Sequence, residues 1–169
     1  MKRELEYSQV LPENFKEKHL RQIIDIENQT GFMPCSKEQI ERAIYNECYN
    51  TFACYDNDNI VGYIMVVVNV YDSSSVHIIN LAVEENYRRQ GIAEDLIWAV
   101  WASFFLFYKS ITLDVNKENI NALNLYKKIG FEPTDIVSSN GDSDIVMKCS
   151  MKKMITQKIS EEKGSSNKR

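Results

Sequence analysis

The stretch Asn80-Leu81-Ala82-Val83-Glu84-Glu85-Asn86-Tyr87-Arg88-Arg89-Gln90-Gly91-Ile92-Ala93 decides how the rest of the chain is read. It opens as an apolar run suited to a strand, crosses a polar turn, and ends in Arg, Gln and Gly where a helical pattern begins. The first four backbone N–H groups of a helix have no partner within it, and the aligned peptide dipoles place roughly half a positive charge at that end. An anion, above all a phosphate, is favoured there. Gly91 and Ala93 keep bulky side chains out, so backbone amides can approach a ligand, and Arg88 and Arg89 can add charge-assisted hydrogen bonds. The stretch therefore has the makings of an anion cradle. It is neither of the two common nucleotide motifs, because the glycines of G-x-G-x-x-G and of G-x-x-x-x-G-K-[ST] are missing.

Working outward, Val76 to Val83 is the strand that leads into the cradle. The apolar run from about Gln90 to Tyr108 predicts a long helix buried on most sides, with Trp98, Trp101, Phe104, Phe105 and Phe107 as core. Towards the N-terminus, Glu6 to Val10 is a first strand closed by Pro12. Phe15, Leu20, Ile23, Ile24 and Ile26 then mark a helix that Asn14 could cap. Gly31 and Pro34 bound a short loop, and Ser36 with Glu38 and Gln39 starts a second helix that runs to about Tyr49. Thr51 to Tyr55 and Ile60 to Val70 are strands joined by the turn Asp56-Asn57-Asp58-Asn59, with Gly62 marking a bulge. Beyond the cradle helix come a strand, Ile111 to Val115, and a helix, Asn119 to Ile129, that Gly130 ends as a left-handed cap. Phe131 to Val137 and Asp144 to Ser150 form a last hairpin around Ser138 to Asp142. One mixed, mostly antiparallel sheet of about seven strands with flanking helices follows, an α+β class.

At 169 residues the chain suits one domain, 1–151, with 152–169 as a basic, polar, flexible tail after a short helical start. The tail carries six basic residues against Glu161 and Glu162, about +4, which leaves 14 basic against 22 acidic residues, about −8, on the body. An acidic body argues against nucleic-acid binding and suits a cationic amine or basic peptide as partner. Cys35, Cys48, Cys54 and Cys149 show no C-x-x-C spacing and only His19 and His77 offer imidazoles, so no metal site is expected and the thiols are packed as small hydrophobes. No signal-peptide pattern opens the chain. The longest apolar run, Leu96 to Tyr108, is short of the ~20 residues of a membrane span, so a cytoplasmic protein is expected.

Arg88, Gly91 and Ala93 fill the R/Q-x-x-G-x-G/A signature of the GNAT acetyltransferases. Asn-Leu-Ala-Val precedes it, and Asn119, Ala122, Leu125, Tyr126, Gly130 and Phe131 follow in the superfamily's order. Over residues 5 to 150 the chain resembles the GNAT superfamily, with its closest look to the bacterial ribosomal-protein N-terminal acetyltransferases. The resemblance implies the GNAT fold, with the fourth and fifth strands splayed apart, and acetyl-CoA as co-substrate. It places the cofactor on the main chain of Leu81, Ala82 and Val83, on the amides of Arg88, Arg89, Gln90, Gly91, Ile92, Ala93 and Glu94, and on Asn119 and Tyr126. Loops between the first two helices often form the substrate wall in this family, which makes Phe32 and Met33 candidate specificity residues.

What the resemblance implies for function is acetyl transfer to a primary amine, a peptide N-terminus or lysine, by direct attack in a ternary complex. Tyr126 would donate a proton to the departing thiolate. Two bases are open: Asp114, where the ribosomal-protein acetylases carry glutamate, and His77, six residues before Val83, the place of the catalytic glutamate in the histone-acetylating branch. Alternation puts His77, Ile79, Leu81 and Val83 on one strand face. Neutralising a lysine ammonium at pH 7 costs roughly 4.6 kcal/mol, an α-amine only about 1. The last hairpin, Ile136 to Gly141, lacks the tyrosine-rich clamp of the ribosomal-protein enzymes. A small amine such as a polyamine or aminoglycoside therefore stays open as acceptor, as does a non-catalytic CoA-binding module, in a monomer or homodimer.

Overall fold

The computed structural model describes residues 4–30, 34–68, 74–139 and 142–166. These form the strands β1 (Leu5–Val10), β2 (Tyr49–Asp56), β3 (Asn59–Val68), β4 (Ser75–Val83), β5 (Ser110–Asn116), β6 (Glu132–Ser139) and β7 (Asp142–Ser150). The α-helices are α1 (Glu17–Asn28), α2 (Lys37–Tyr45), α3 (Ile92–Phe104), α4 (Ile120–Ile129) and α5 (Met151–Ser166). The strands make one mixed sheet in the order β1-β2-β3-β4-β5-β7-β6, the expected GNAT fold, with β4 and β5 as the parallel pair. Phe32 and Met33 lie outside the described residues. So do Val70 and the tip of the last hairpin at Asn140 and Gly141. Two compact units divide the chain: Met1–Val68 with Ile78–Ser103, and Asn69–His77 with Phe104–Arg169.

In the first unit β1 pairs antiparallel with β2, and β2 with β3. Apolar residues at helical spacing, Leu20, Ile23 and Ile26 on α1 and Ile40, Ala43 and Ile44 on α2, are buried with Ala53, Ile60, Tyr63 and Met65 of the sheet. Each such Leu or Ile contributes about 1.5–3 kcal/mol over an exposed one. Ser36 caps α2 with a reciprocal pair: its Oγ accepts from Gln39 N at 3.3 Å, and Gln39 Oε1 accepts from Ser36 N at 2.7 Å. The helix stops at Tyr45, short of the expected Tyr49, because Tyr49 already pairs with Val67 across β2 and β3. Asn14 does not cap α1. It ends a 3-10 turn from Pro12, and the helix starts at Glu17, where Lys16 N donates to His19 Nδ1 at 3.3 Å.

The bulge marked by Gly62 is present. Cys54 faces Gly62 while Tyr55 faces Ile60, so Val61 is the extra residue. The Val61 carbonyl accepts from Glu84 N at 2.9 Å. A Cβ on Gly62 would lie 3.0 Å from Ile92 Cγ2 and 3.3 Å from Val83 Cγ2, so the bare glycine lets the end of β4 and the start of α3 close over β3. The cradle helix α3 is shorter and less buried than its composition suggests. Ile92, Leu96, Ile97 and Val100 form one buried stripe, whereas Trp98 and Trp101 are half-buried, edge to face with ring centroids 5.7 Å apart. Beyond Phe104, Leu106 and Phe107 are three-quarters exposed, since the chain there turns back on the Phe104 carbonyl instead of continuing as helix.

In the second unit β7 lies between β5 and β6, antiparallel to both. Ile111, Leu113 and Val115 are buried, as are Leu123, Tyr126, Ile129, Phe131 and Met147. The C-terminal helix goes well past a short start. Met151 and Met154 are buried, Lys153 Nζ meets Glu132 Oε1 at 2.6 Å, and Gln157 donates to the Lys128 carbonyl. Among the described residues no helix is long and apolar enough to cross a membrane.

Gly130, at φ +108°, donates its N–H to the Tyr126 and Lys127 carbonyls, both at 3.1 Å, and closes α4 as expected. An L-residue there adopts a left-handed backbone at a cost of about 1–2 kcal/mol. Gly130→Ala should therefore lower the unfolding free energy by that much, read as a lower denaturant midpoint at unchanged m-value. An unaltered midpoint would show that the cap tolerates a side chain.

Candidate functional site

Along β4, Val76, Ile78 and Ala82 are buried, while His77, Leu81 and Val83 are half-buried and Ile79 is 42% exposed. These last four thus alternate with mostly buried residues, and the face they share is partly exposed and chiefly apolar. After Val83 the chain makes a 3-10 turn, Glu85–Tyr87, runs extended through Arg88, and enters left-handed backbone at Arg89 (φ +61°) and Gly91 (φ +89°). Left-handed residues interspersed with right-handed ones turn successive N–H groups to one side, a concavity that suits an anion. Among the described residues, the backbone N–H groups of Arg89, Gln90, Gly91, Ile92 and Ala93 donate to no backbone carbonyl. The Gly91 carbonyl accepts from Asp95 N at 3.0 Å and so opens α3, and a Cβ on Gly91 would meet nothing within 4 Å. Unpaired amides with free space before them fit a diphosphate.

Arg88 does a different job from Arg89. Its Nε donates to the Val83 carbonyl at 3.0 Å and an Nη to the Gln29 carbonyl at 3.0 Å, so its guanidinium is spent on the protein. Among the described residues the Arg89 guanidinium has no partner and is exposed. Gln29 also accepts from Glu85 N through Oε1 at 2.9 Å, and the Tyr87 hydroxyl donates to Asp56 at 2.6 Å. Asp95, in the first turn of α3, accepts from the Tyr7 hydroxyl at 2.9 Å; burial, with Asp95 beside it, raises the Tyr7 pKa and keeps that phenol protonated.

In the second unit His77 Nδ1 lies 3.0 Å from Thr112 Oγ1. Burial lowers the His77 pKa below its usual value, with the Asp114 charge opposing, so the imidazole is neutral near neutral pH. For Nε2 to carry a lone pair, Nδ1 must hold the proton and donate it to Thr112. Asp114 sits on the exposed face of β5, two residues beyond Thr112. Tyr126 is 7% exposed, tilted against Phe131 with ring centroids 5.6 Å apart, and burial pushes its phenol up to about 12. Among the described residues the Tyr126 hydroxyl has no hydrogen-bond partner. Asn119 caps α4, its Oδ1 accepting from Ala122 N at 3.2 Å, which leaves its Nδ2 as donor.

One cluster was not foreseen. Glu27, 2% exposed, accepts from Cys35 N at 2.6 Å, from Asn80 Nδ2 at 2.9 Å and from the Tyr63 hydroxyl. The visible signal was an acid seven residues after Leu20 and four after Ile23, in the apolar stripe of α1. Among the described residues no group of three His, Cys, Asp or Glu is placed to hold a metal ion.

A family model, Acetyltransferase (GNAT) family, matches residues 17–131. An N-alpha-acetyltransferase of Sulfurisphaera tokodaii is 36% identical over 63 residues, 36% of this chain and 38% of that protein. Another, of Saccharolobus solfataricus, is 32% identical over 97 residues, 51% of this chain and 58% of that protein. The chain thus spans less than two thirds of the length of the curated relatives it matches. In fold it is similar to the ribosomal-protein-S18-alanine N-acetyltransferase from Escherichia coli, with a TM-score of 0.72 at 20% identity over 88% of this chain and 94% of that one. Since the family model takes in the partly exposed face of β4, the unpaired amides and the helix closed by Gly130, the chain belongs to the acetyltransferase (GNAT) family.

Proposed function

We propose that the protein transfers an acetyl group from acetyl-CoA to the α-amine of a peptide or protein. The observation that carries this reading is the set of unpaired amides from Arg89 to Ala93, facing open space. They and the Arg89 guanidinium take the diphosphate, and the main chain at Leu81, Ala82 and Val83 takes the pantetheine arm. Asn119 adds a donor. The base first takes the proton of the ammonium. The neutral amine nitrogen then forms its bond to the acetyl carbon, the C–S bond breaks with its electron pair leaving on sulfur, and the second N–H proton passes from the acylated nitrogen to the thiolate, giving amide and free thiol. No acyl-enzyme is needed.

The acceptor class follows from what it costs the amine to give that base its proton. His77 is a weak base, its pKa lowered by burial. Taking a proton from a lysine ammonium is then uphill by more than about 5 kcal/mol and from an α-ammonium near 7.8 by more than about 1.8, so lysine costs about 3.5 kcal/mol more whatever the strength of the base. The two relatives named N-alpha-acetyltransferase point the same way. At the sulfur, a phenol pushed up to about 12 is a poorer acid than a thiol near 8.5, so full proton transfer from Tyr126 costs roughly 5 kcal/mol. Tyr126 therefore acts as a hydrogen-bond donor to the charge developing on sulfur, a refinement of the general-acid role.

Acetyl-CoA mixed with a panel of peptides, lysine derivatives and polyamines should release free coenzyme A with peptide α-amines. No thiol release with any acceptor of the panel would leave a module that only binds the nucleotide. Tyr126→Phe should lower kcat by about 10²-fold, the usual loss for one transition-state donor, with acetyl-CoA affinity unchanged. An unaltered kcat would remove the hydroxyl from the chemistry.

Gly91→Val should weaken acetyl-CoA binding by roughly tenfold or more in calorimetry. Undiminished affinity would refute the amide cradle. The acidic limb of kcat/KM that belongs to His77 should have its midpoint below the usual 6.5, because the base works only when neutral. His77→Ala should abolish that limb. Asp114→Asn should keep it and move it to still lower pH, since it removes the charge that raises the His77 pKa; a limb that vanishes in Asp114→Asn and survives in His77→Ala would make Asp114 the base.

A further inference from the structure

The Glu27 carboxylate draws together parts of the first unit that are far apart in sequence. Its Oε2 accepts from the backbone N–H of Cys35, past the end of α1, and from the side chain of Asn80 on β4, while its Oε1 accepts from Tyr63 on β3. Asn80 Nδ2 is also 3.1 Å from Cys35 Sγ, so the chain at Cys35 rests directly on β4 one residue before Leu81. The Glu27 carbonyl accepts from both Thr30 N, at 3.0 Å, and Thr30 Oγ1, at 2.9 Å, which ties down the outgoing chain as well. Cys35 and Asn80 are only half-buried, so this clamp reaches the surface beside β4.

A carboxylate buried to this degree without a cation is costly, and the three donors that meet it offset that cost. One of its polar partners, Asn80, directly precedes Leu81, on whose main chain the proposed pantetheine arm runs. We propose that Glu27 is a positioning residue for the acceptor: it locks the Cys35 segment against β4 as the wall along which the amine reaches the thioester. This deepens the proposed acetyl transfer and rests on it. The role of Glu27 is to hold Tyr63, Cys35 and Asn80 together, two donors on Oε2 and one on Oε1.

Three variants test this in steady-state kinetics with a peptide acceptor and in acetyl-CoA calorimetry. A glutamine at 27 can turn its carbonyl to Cys35 and Asn80 and its amide to the Tyr63 oxygen, so Glu27→Gln should keep kcat/KM near the wild-type value. Glu27→Ala should raise the acceptor KM by roughly tenfold or more while acetyl-CoA affinity holds, the signature of lost positioning and not of general unfolding. Should the alanine variant fail to fold, Asn80→Ala removes only the β4 end of the clamp and should raise the acceptor KM in the same sense. An acceptor KM unchanged in Asn80→Ala, or acceptor KM and acetyl-CoA affinity lost in parallel, overturns the proposal. A wild-type protein that binds acetyl-CoA yet acetylates nothing overturns the proposed function instead.

Discussion

A backbone that leaves five consecutive amides unpaired has to be held in that state, and the rest of the first unit can be understood from how this is done. Arg89 stands at φ +61° with a full side chain, a conformation that costs about 1–3 kcal/mol and persists only where surroundings over-determine it. Those surroundings are Arg88 on the Val83 and Gln29 carbonyls, Gln29 on Glu85 N, and Tyr87 on Asp56. Below, Gly62 admits Val83 and Ile92 at contacts that a Cβ would close off. These contacts fix the turn in the conformation that leaves the amides from Arg89 to Ala93 without a backbone partner among the described residues.

Two groups of the second unit, His77 and Tyr126, are weakened by burial. Burial lowers the basicity of His77 and the acidity of Tyr126 alike, so neither holds a charge near neutral pH before the reaction. A neutral imidazole can accept a proton from an amine that is already half willing to lose it, and a neutral phenol can stabilise a thiolate without surrendering its own proton. Such a pair suits an acceptor whose pKa lies near 7.8 far better than one near 10.4. Asp114, on the exposed face of β5, raises the His77 pKa by its charge and so opposes the effect of burial.

Periodicity and turn chemistry made most of the fold legible. The bulge at Gly62, the Ser36 cap and the left-handed Gly130 each follow from a residue type that only one local geometry satisfies. What misled was composition without context. The aromatic run after Val100 looks like core, yet Leu106 and Phe107 are exposed, because apolarity says nothing about whether a helix continues long enough to cover them. Tyr49 fits a helical stripe as well as a strand, and cross-strand pairing with Val67 settles it. In the site, the motif pointed to Arg88 as a position but gave no hint that its guanidinium turns inward. Glu27 was visible only as an acid in an apolar register, since its partners, Cys35, Tyr63 and Asn80, are 8, 36 and 53 residues away.

The two findings that sequence could not supply meet at the end of one helix. Glu27 and Gln29 are two residues apart at the C-terminus of α1, where helix carbonyls run out of partners. Glu27 turns inward to β3 and β4, and Gln29 gives its side chain to Glu85 N and its carbonyl to Arg88. The unsatisfied end of α1 is thus completed by the cradle, and the Gln29 carbonyl takes the guanidinium that keeps the cradle in shape. A carbonyl at a helix C-terminus carries the negative end of the dipole, which makes it a better acceptor for a cation than an ordinary loop carbonyl. Placing an arginine there holds the turn with a charge-assisted bond, while the neighbouring Arg89 is exposed and has no side-chain partner among the described residues, a difference between adjacent arginines of identical chemistry that goes with their backbone conformations, extended at one and left-handed at the other.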